Sequence, residues 1–239
     1  MLTSCLNLIW PPRCIACDAG AGEPHFCAPC ASSLVSGAAH ACPVCAGVYL
    51  TPPVGGGDHT CGACLKTRPP FERARAAYAY GGALRDAMIR WKNRPDHTLS
   101  RAMCSLMLAG HRGRRWCDLE GDVIVVPIPS ARAALLRRGF NPAGLLARAL
   151  ARERGWPLIH ALKVRGHKGS SAGLNARQRE RRLRGAFAVR SGRIRGATVV
   201  LVDDVMTTGA TARAAARVCR RAGASSLQIA LLSRVPLDA

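Results

Sequence analysis

Two sets of residues in this 239-residue chain have types and spacings that suit chemistry. The first is Asp203-Asp204, followed by Thr207, Thr208, Gly209, Ala210 and Thr211. Adjacent carboxylates suit the 2- and 3-hydroxyls of a ribose, and they attract Mg²⁺. Gly209 removes the Cβ that would hold backbone away from a phosphate, the threonine hydroxyls add donors, and a helix amino end completes an anion site. Together these features describe a place for a phosphorylated sugar. The blander reading is a solvated acid pair with threonines capping a helix. Agreement at so many loop positions favours the first.

The second set is made of cysteines. Eight of the twelve fall into Cys-x-x-Cys pairs: Cys14/Cys17, Cys27/Cys30, Cys42/Cys45 and Cys61/Cys64. Such a pair forms a tight knuckle whose thiolates converge on one ion, and two knuckles complete the tetrahedral shell of structural Zn²⁺. Two zinc ions are therefore expected. Sequential pairing is favoured over a cross-braced arrangement, because the gaps inside each sequential unit look like hairpins. Disulfides are the alternative, but paired spacing and an intracellular setting argue against them. His25, His40 and His59 read as surface residues beside a complete thiolate set. Cys5, Cys104, Cys117 and Cys219 read as small apolar residues.

The elements that must position the first set can be read outward from it. Val199 to Val202 is a β-branched, apolar run that predicts a strand buried on both faces, and Thr211 to Arg221 predicts an alanine-rich helix. In an open α/β sheet, ligands bind beyond the carboxyl ends of the strands, where the acids lie. Upstream, Ala76 to Tyr80 and Val123 to Ile128 read as strands. Leu84 to Lys92 and Leu99 to His111 read as packing helices, with Trp91 as core. Pro142 suits the first turn of a helix running to about Arg154. No Walker A loop and no strand-linked Gly-x-Gly-x-x-Gly appears.

The stretch from Val199 to Thr211 resembles the phosphoribosyl-pyrophosphate (PRPP) motif of type I phosphoribosyltransferases: four hydrophobic residues, two acids and a Thr-Gly-x-Thr loop. That resemblance implies PRPP binding with Mg²⁺ through Asp203, Asp204, Thr207, Thr208, Gly209, Ala210 and Thr211. It also implies a pyrophosphate loop at Arg137, Arg138 and Gly139, and a flexible basic loop carrying Lys168, Arg177 and Arg181. Nearly the whole chain resembles the ComF family, a cysteine-rich zinc module before a phosphoribosyltransferase domain. The further residues behind it are Pro11-Pro12-Arg13-Cys14, Val126-Pro127-Ile128-Pro129, Arg138-Gly139-Phe140-Asn141, Gly173-Leu174, Arg177, Arg181 and Gly185-Ala186-Phe187. Where members carry a glutamine just before the Gly-Leu pair, this chain has Ser170-Ser171-Ala172. The expected organisation is a double zinc-ribbon module over 1–70 and an α/β, mostly parallel-sheet phosphoribosyltransferase-like domain over 71–239.

Charge supplies the remaining expectations. The formal net charge is +21, and residues 71–239 carry 32 of the 35 bases but only 11 of the 14 acids. Eleven bases and one acid, Glu180, lie between Lys163 and Arg195. Such a surface attracts polyanions, although an arginine-rich proteome would explain part of the excess. No apolar run reaches the roughly 20 residues that span a bilayer, and Leu2 to Trp10 lacks a basic leader. A soluble cytoplasmic protein without membrane insertion is expected. Three functions stand open: a phosphoribosyltransferase of unknown acceptor, a single-stranded DNA-binding accessory protein with a retained pocket, and a PRPP-sensing regulator. The ComF resemblance implies DNA-uptake proteins as partners.

Overall fold

The computed structural model describes residues 13–21, 25–38, 40–49, 51, 59–94, 96–112, 119, 121–165, 183 and 185–237. Its centre is a four-stranded parallel sheet built from β1 (Arg73–Ala79), β2 (Val123–Pro127), β5 (Thr198–Met206) and β6 (Ser226–Arg234), in the order β1-β6-β5-β2. The β-branched run of β5 therefore lies inside the sheet, and Val199, Val200, Leu201 and Val202 are fully buried.

Because successive side chains of a strand point to opposite faces, β5 feeds two cores at once. Val199 and Leu201 join Ile124, Val126, Ile229 and Leu231 on one face, packed by Ala212, Ala215, Ala216 and Cys219 of α7 (Ala210–Arg221). Val200 and Val202 join Val125, Ala230 and Leu232 on the other, covered by α3 (Gly82–Asn93), α4 (His97–His111) and α6 (Pro142–Arg154). Trp91 of α3 is fully buried there, as its place on an amphipathic helix predicts. Asp96 caps α4 through the Thr98 amide at 2.7 Å, and Pro142 opens α6.

The cysteine-rich segment is built into this sandwich. Short helices α1 (Ala28–Ser32) and α2 (Gly62–Lys66) carry Cys30 and Cys64. Cys14, Ile15 and Phe26 belong to the core with α3, whereas Cys42, Cys45, Cys61 and Cys64 belong to the core with α7. The segment between the two halves runs antiparallel along the outer edge of β1, with Ser36 opposite Tyr78 and the Gly37 amide donating to Ala77 at 2.9 Å. Only glycine fits there, since a Cβ at Gly37 would stand 2.3 Å from the Ala76 carbonyl oxygen.

A two-stranded antiparallel ribbon, β3 (Leu162–Val164) with β4 (Phe187–Val189), stands apart from the main sheet and brackets residues 165–186. Lys168, Arg177 and Arg181 lie outside the described residues.

Candidate functional site

The acids sit at the carboxyl end of β5, still within the strand, which continues to Met206. Residues 207–209 then turn into α7 through Gly209, whose φ of 76° is left-handed backbone that glycine adopts without cost. Asp203, Val205, Met206, Thr207, Thr208, Gly209, Ala210, Thr211 and Ala212, with Leu183 opposite, line a cavity of about 360 Å³. The first turn of α7 presents backbone amides to that space, and Thr207 and Thr208 are exposed.

The carboxylates divide the work. Asp203 faces the cavity, and burial, reinforced by the charge of Asp204, pushes its pKa well above the usual carboxylate range. Asp204 is half-buried, which opposes its charge, but Lys92 at the end of α3 lies 2.5 Å from its Oδ2 and holds it below the ordinary value. Backbone amides bind both groups, Asp204 N to Asp203 Oδ1 at 3.0 Å and Val205 N to Asp204 Oδ1 at 2.8 Å. One carboxyl that holds its proton more tightly than usual and one fixed anion, side by side, are thus presented at the mouth of an amide-lined loop.

Arg137 and Arg138 do not line this cavity. They occupy the last turn of a short helix, α5 (Arg132–Arg138), which Gly139 terminates with φ of 76°. The sequence predicts a basic loop here; the helix forms without burying a single residue, so no apolar periodicity announces it. Since β2 pairs directly with β5, α5 and the hydroxyl loop follow the carboxyl ends of neighbouring strands. Asn141 closes the intervening segment, accepting from Ser130 Oγ at 2.9 Å and donating to the Ile128 carbonyl at 3.2 Å.

The eight paired cysteines form two clusters in sequential order, Cys14/Cys17/Cys27/Cys30 and Cys42/Cys45/Cys61/Cys64, and within each the sulfurs lie within 4.8 Å of one another. Four thiolates at about 2.3 Å from a tetrahedral zinc stand about 3.8 Å apart. The separations of 3.7 Å for Cys17–Cys27 and Cys17–Cys30, and of 3.6 Å for Cys45–Cys61, fit that ion. Each first knuckle is closed by an antiparallel bridge, Arg13 to Gly20 and Ala41 to Val48. The residue after each knuckle, Asp18 or Ala46, has positive φ. Hydrogen bonding draws Cys42 down to about 4, its partner Cys45 foremost. Backbone N–H groups bring Cys14 to about 6 against the opposing effect of burial. Each cluster thus has one thiol biased toward thiolate, the form that binds metal, while Cys17 and Cys30 of the first and Cys45 and Cys64 of the second are shifted upward.

Residues 5–67 match the double zinc ribbon domain family, and residues 132–237 match the phosphoribosyl transferase domain family. Competence protein F of Haemophilus influenzae is 30% identical over 178 residues, covering 73% of this chain and 78% of its own length. The DNA utilization protein YhgH of Salmonella typhi is 31% identical over 231 residues, 94% of this chain and 97% of that protein. The chain belongs to the ComF family. Competence protein ComFC of Bacillus subtilis, at 28% identity, covers 82% of it. Among solved structures, the allosteric regulatory enzyme of purine biosynthesis is 24% identical with a TM-score of 0.37. That likeness covers 56% of this chain and spans only 25% of the enzyme.

Two residues of this ComF chain complete the site without any signal in local spacing. Lys92 reaches Asp204 from a helix on the opposite layer of the sheet. Arg234, 6% exposed at the end of β6, donates to the carbonyls of Met206 and Val235 at 3.0 Å each, to that of Thr207, and through Nε to Cys45 at 3.3 Å. A charged residue two positions beyond the apolar run Ile229 to Leu232 is the one hint the sequence offers for it. No helix among the described residues is long and apolar enough to cross a membrane.

Proposed function

We propose that the cavity beyond β5 binds PRPP, and that the chain serves DNA handling of the kind for which its relatives are named. One observation carries the ligand: a half-buried carboxylate pair opens onto a glycine- and threonine-built turn at the amino end of α7. Asp203 would accept from the ribose hydroxyls while amides and hydroxyls of residues 207–211 surround the 5-phosphate. Lys92 keeps Asp204 ionised beside it, so Asp203 is the member whose proton must leave before it can accept two hydroxyls. Asp203 offers the hard oxygen that Mg²⁺ prefers, alongside substrate phosphates. Bound there, Mg²⁺ would neutralise charge on a leaving pyrophosphate. Arg137 and Arg138, past the end of the neighbouring strand, are proposed to meet that pyrophosphate, and Lys168, Arg177 and Arg181 to close over it. The chain's contribution to such a transfer is position and charge, with no general base required of it.

Calorimetry with PRPP and Mg²⁺ tests this reading. Wild-type protein should bind at millimolar ligand or below, ribose 5-phosphate should compete and free ribose should not. Asp203→Asn with Asp204→Asn should lose about 1.5 to 3 kcal/mol per charged contact. Equal binding by that variant, or none by wild type, ends the proposal. Release of pyrophosphate with a supplied acceptor separates a transferase from a protein that only senses PRPP.

The relatives' names and the +21 charge favour single-stranded DNA as a partner. Its affinity should fall linearly in log–log form with salt, as counterion release requires. Replacing Arg177, Arg179, Arg181 and Arg182 together with Ala should flatten that slope. An unchanged slope moves the DNA path elsewhere.

A further inference from the structure

The hydroxyl loop is gripped at both of its ends from the cysteine-rich segment. At its start, the buried guanidinium of Arg234 donates to the carbonyls of Met206, at 3.0 Å, and Thr207, while its Nε donates to the Cys45 carbonyl at 3.3 Å. At its far end, the Gly209 carbonyl accepts from the Arg213 amide at 2.9 Å, and the Arg213 side chain donates to the Thr67 carbonyl at 3.2 Å. Thr67 caps the carboxyl end of α2, the short helix that carries Cys64. Cys45 and Cys64 belong to one cluster, so the turn over residues 207–209 is tied on both sides to a single set of sulfurs. The first cluster is attached elsewhere: Arg90 of α3 donates to the Asp18 carboxylate at 2.7 Å and to the Ala16 carbonyl at 3.3 Å.

We infer that the second cluster is a positioning element of the sugar-phosphate site, with Arg234 and Arg213 as the connecting residues. Zinc held by Cys42, Cys45, Cys61 and Cys64 and a phosphorylated sugar held by residues 207–211 therefore favour one another. This rests on the reading of the hydroxyl loop proposed above. A peptide unit is planar and trans, so a Thr207 carbonyl fixed on Arg234 turns the Thr208 amide the opposite way. Gly209 has no side chain to restrict its own backbone, so the grip on the flanking residues decides where the loop amides point. Guanidinium donors make that grip firm, because charge-assisted hydrogen bonds are the strong ones. Its fixed points are the carbonyls of Cys45 and Thr67, and these keep their places only while one ion gathers the four sulfurs. When the ion leaves, both carbonyls are released together, and the loop loses its two supports. Such coupling is reciprocal: what zinc adds to the affinity for the sugar phosphate, the sugar phosphate adds to the affinity for zinc.

Ribose 5-phosphate without Mg²⁺, on the full zinc-loaded chain, is the probe. Calorimetry gives its dissociation constant for wild type, Arg213→Ala and Arg234→Lys, and each protein is then held at about ten times its own value, so that ordinary stabilisation by bound ligand is equal in all of them. A chelator draws off zinc in the presence of an alkylating agent, and mass spectrometry reads the label on each cysteine. In wild type the ligand should slow labelling of Cys42, Cys45, Cys61 and Cys64 about fivefold or more, the lower end of coupling between linked sites. Labelling of Cys14, Cys17, Cys27 and Cys30 should not change, and free ribose should protect neither cluster. Arg213→Ala, at a partly exposed position, should retain both zinc ions, bind ribose 5-phosphate more weakly and lose most of that protection; Arg234→Lys should do the same. Failure of wild type to bind ribose 5-phosphate overturns the sugar-phosphate reading, and the coupling with it. Binding that protects both clusters alike, or neither, overturns the coupling alone, and so does equal protection in wild type and Arg213→Ala.

Discussion

Arg234 and Thr207 join the second thiolate cluster to the hydroxyl loop: one buried guanidinium donates to the Thr207 carbonyl and, through Nε, to the carbonyl of the zinc-cluster residue Cys45. The start of the loop is thereby fixed by a residue 189 positions from Cys45 in sequence but adjacent to it in space.

Arg234→Met should consequently destabilise the chain by more than its apolar volume suggests, because four carbonyls lose a charged donor. A hydrogen bond to a charged group is worth about 1.5 to 3 kcal/mol, so a loss of at least that size is expected. Thermal melting reads it, and Arg234→Lys should recover little, since an ammonium cannot span the same fork of acceptors. A melting temperature equal to wild type refutes the joint.

Elemental analysis should find two zinc ions per chain. Their release should be biphasic, because all four cysteines of the second cluster are buried while Cys17 of the first is exposed. A chelator should strip the first cluster quickly and leave the second until the α7-side core opens. Cys45→Ser should cost one zinc and lower the melting temperature of the whole chain. Single-phase release of both ions contradicts this order.

Asp203 sets a pH dependence. Its folded-state pKa is raised, so the native chain keeps a proton that the unfolded chain gives up near pH 4, and stability falls as pH rises from about 4 through the folded value. Asp203→Asn should remove that decline, raising the melting temperature at neutral pH by about 2 to 4 °C for each kcal/mol relieved. Its effect on PRPP binding should be the reverse. Melts from acid to neutral pH in Mg²⁺-free buffer decide it: a variant whose curve parallels wild type is the adverse result.

Gly209→Val places a branched side chain at φ of 76°, where its Cβ would also stand 3.4 Å from Met206 Sδ. Strained backbone of this kind costs about 1 to 3 kcal/mol. Stability should drop by that amount and PRPP binding by more, whereas Gly209→Asn, tolerant of left-handed backbone, should retain the fold. Melting and calorimetry on the two variants compare directly.

How far the fold could be read in advance follows from where the information lies. The run from Val199 to Val202, Gly209 and the alanines of α7 encode strand, turn and helix within one short window, and the periodicities of α3, α4 and α6 are equally local. The Cys-x-x-Cys spacing likewise specifies two clusters. The Lys92–Asp204 pair and the Arg234 clamp arise only when layers pack, so no window contains them. The α5 helix escapes for a different reason: Leu135 and Leu136 stay exposed, and a helix without a buried face has no apolar period to detect.

The antiparallel edge at Ser36 and Gly37 bears on how the chain assembles during synthesis. Its partner β1 lies between that segment, made before it, and β6, whose Gln228 pairs with Arg73 from 155 positions further along (228 − 73). The cysteine knuckles can close as soon as they emerge, yet β1 must wait for β6 to be made before its inner side is paired. Such long-range pairing slows folding and leaves strand surface open meanwhile. The early segment shields one side of β1 throughout that interval, and so acts within the nascent chain as its own chaperone.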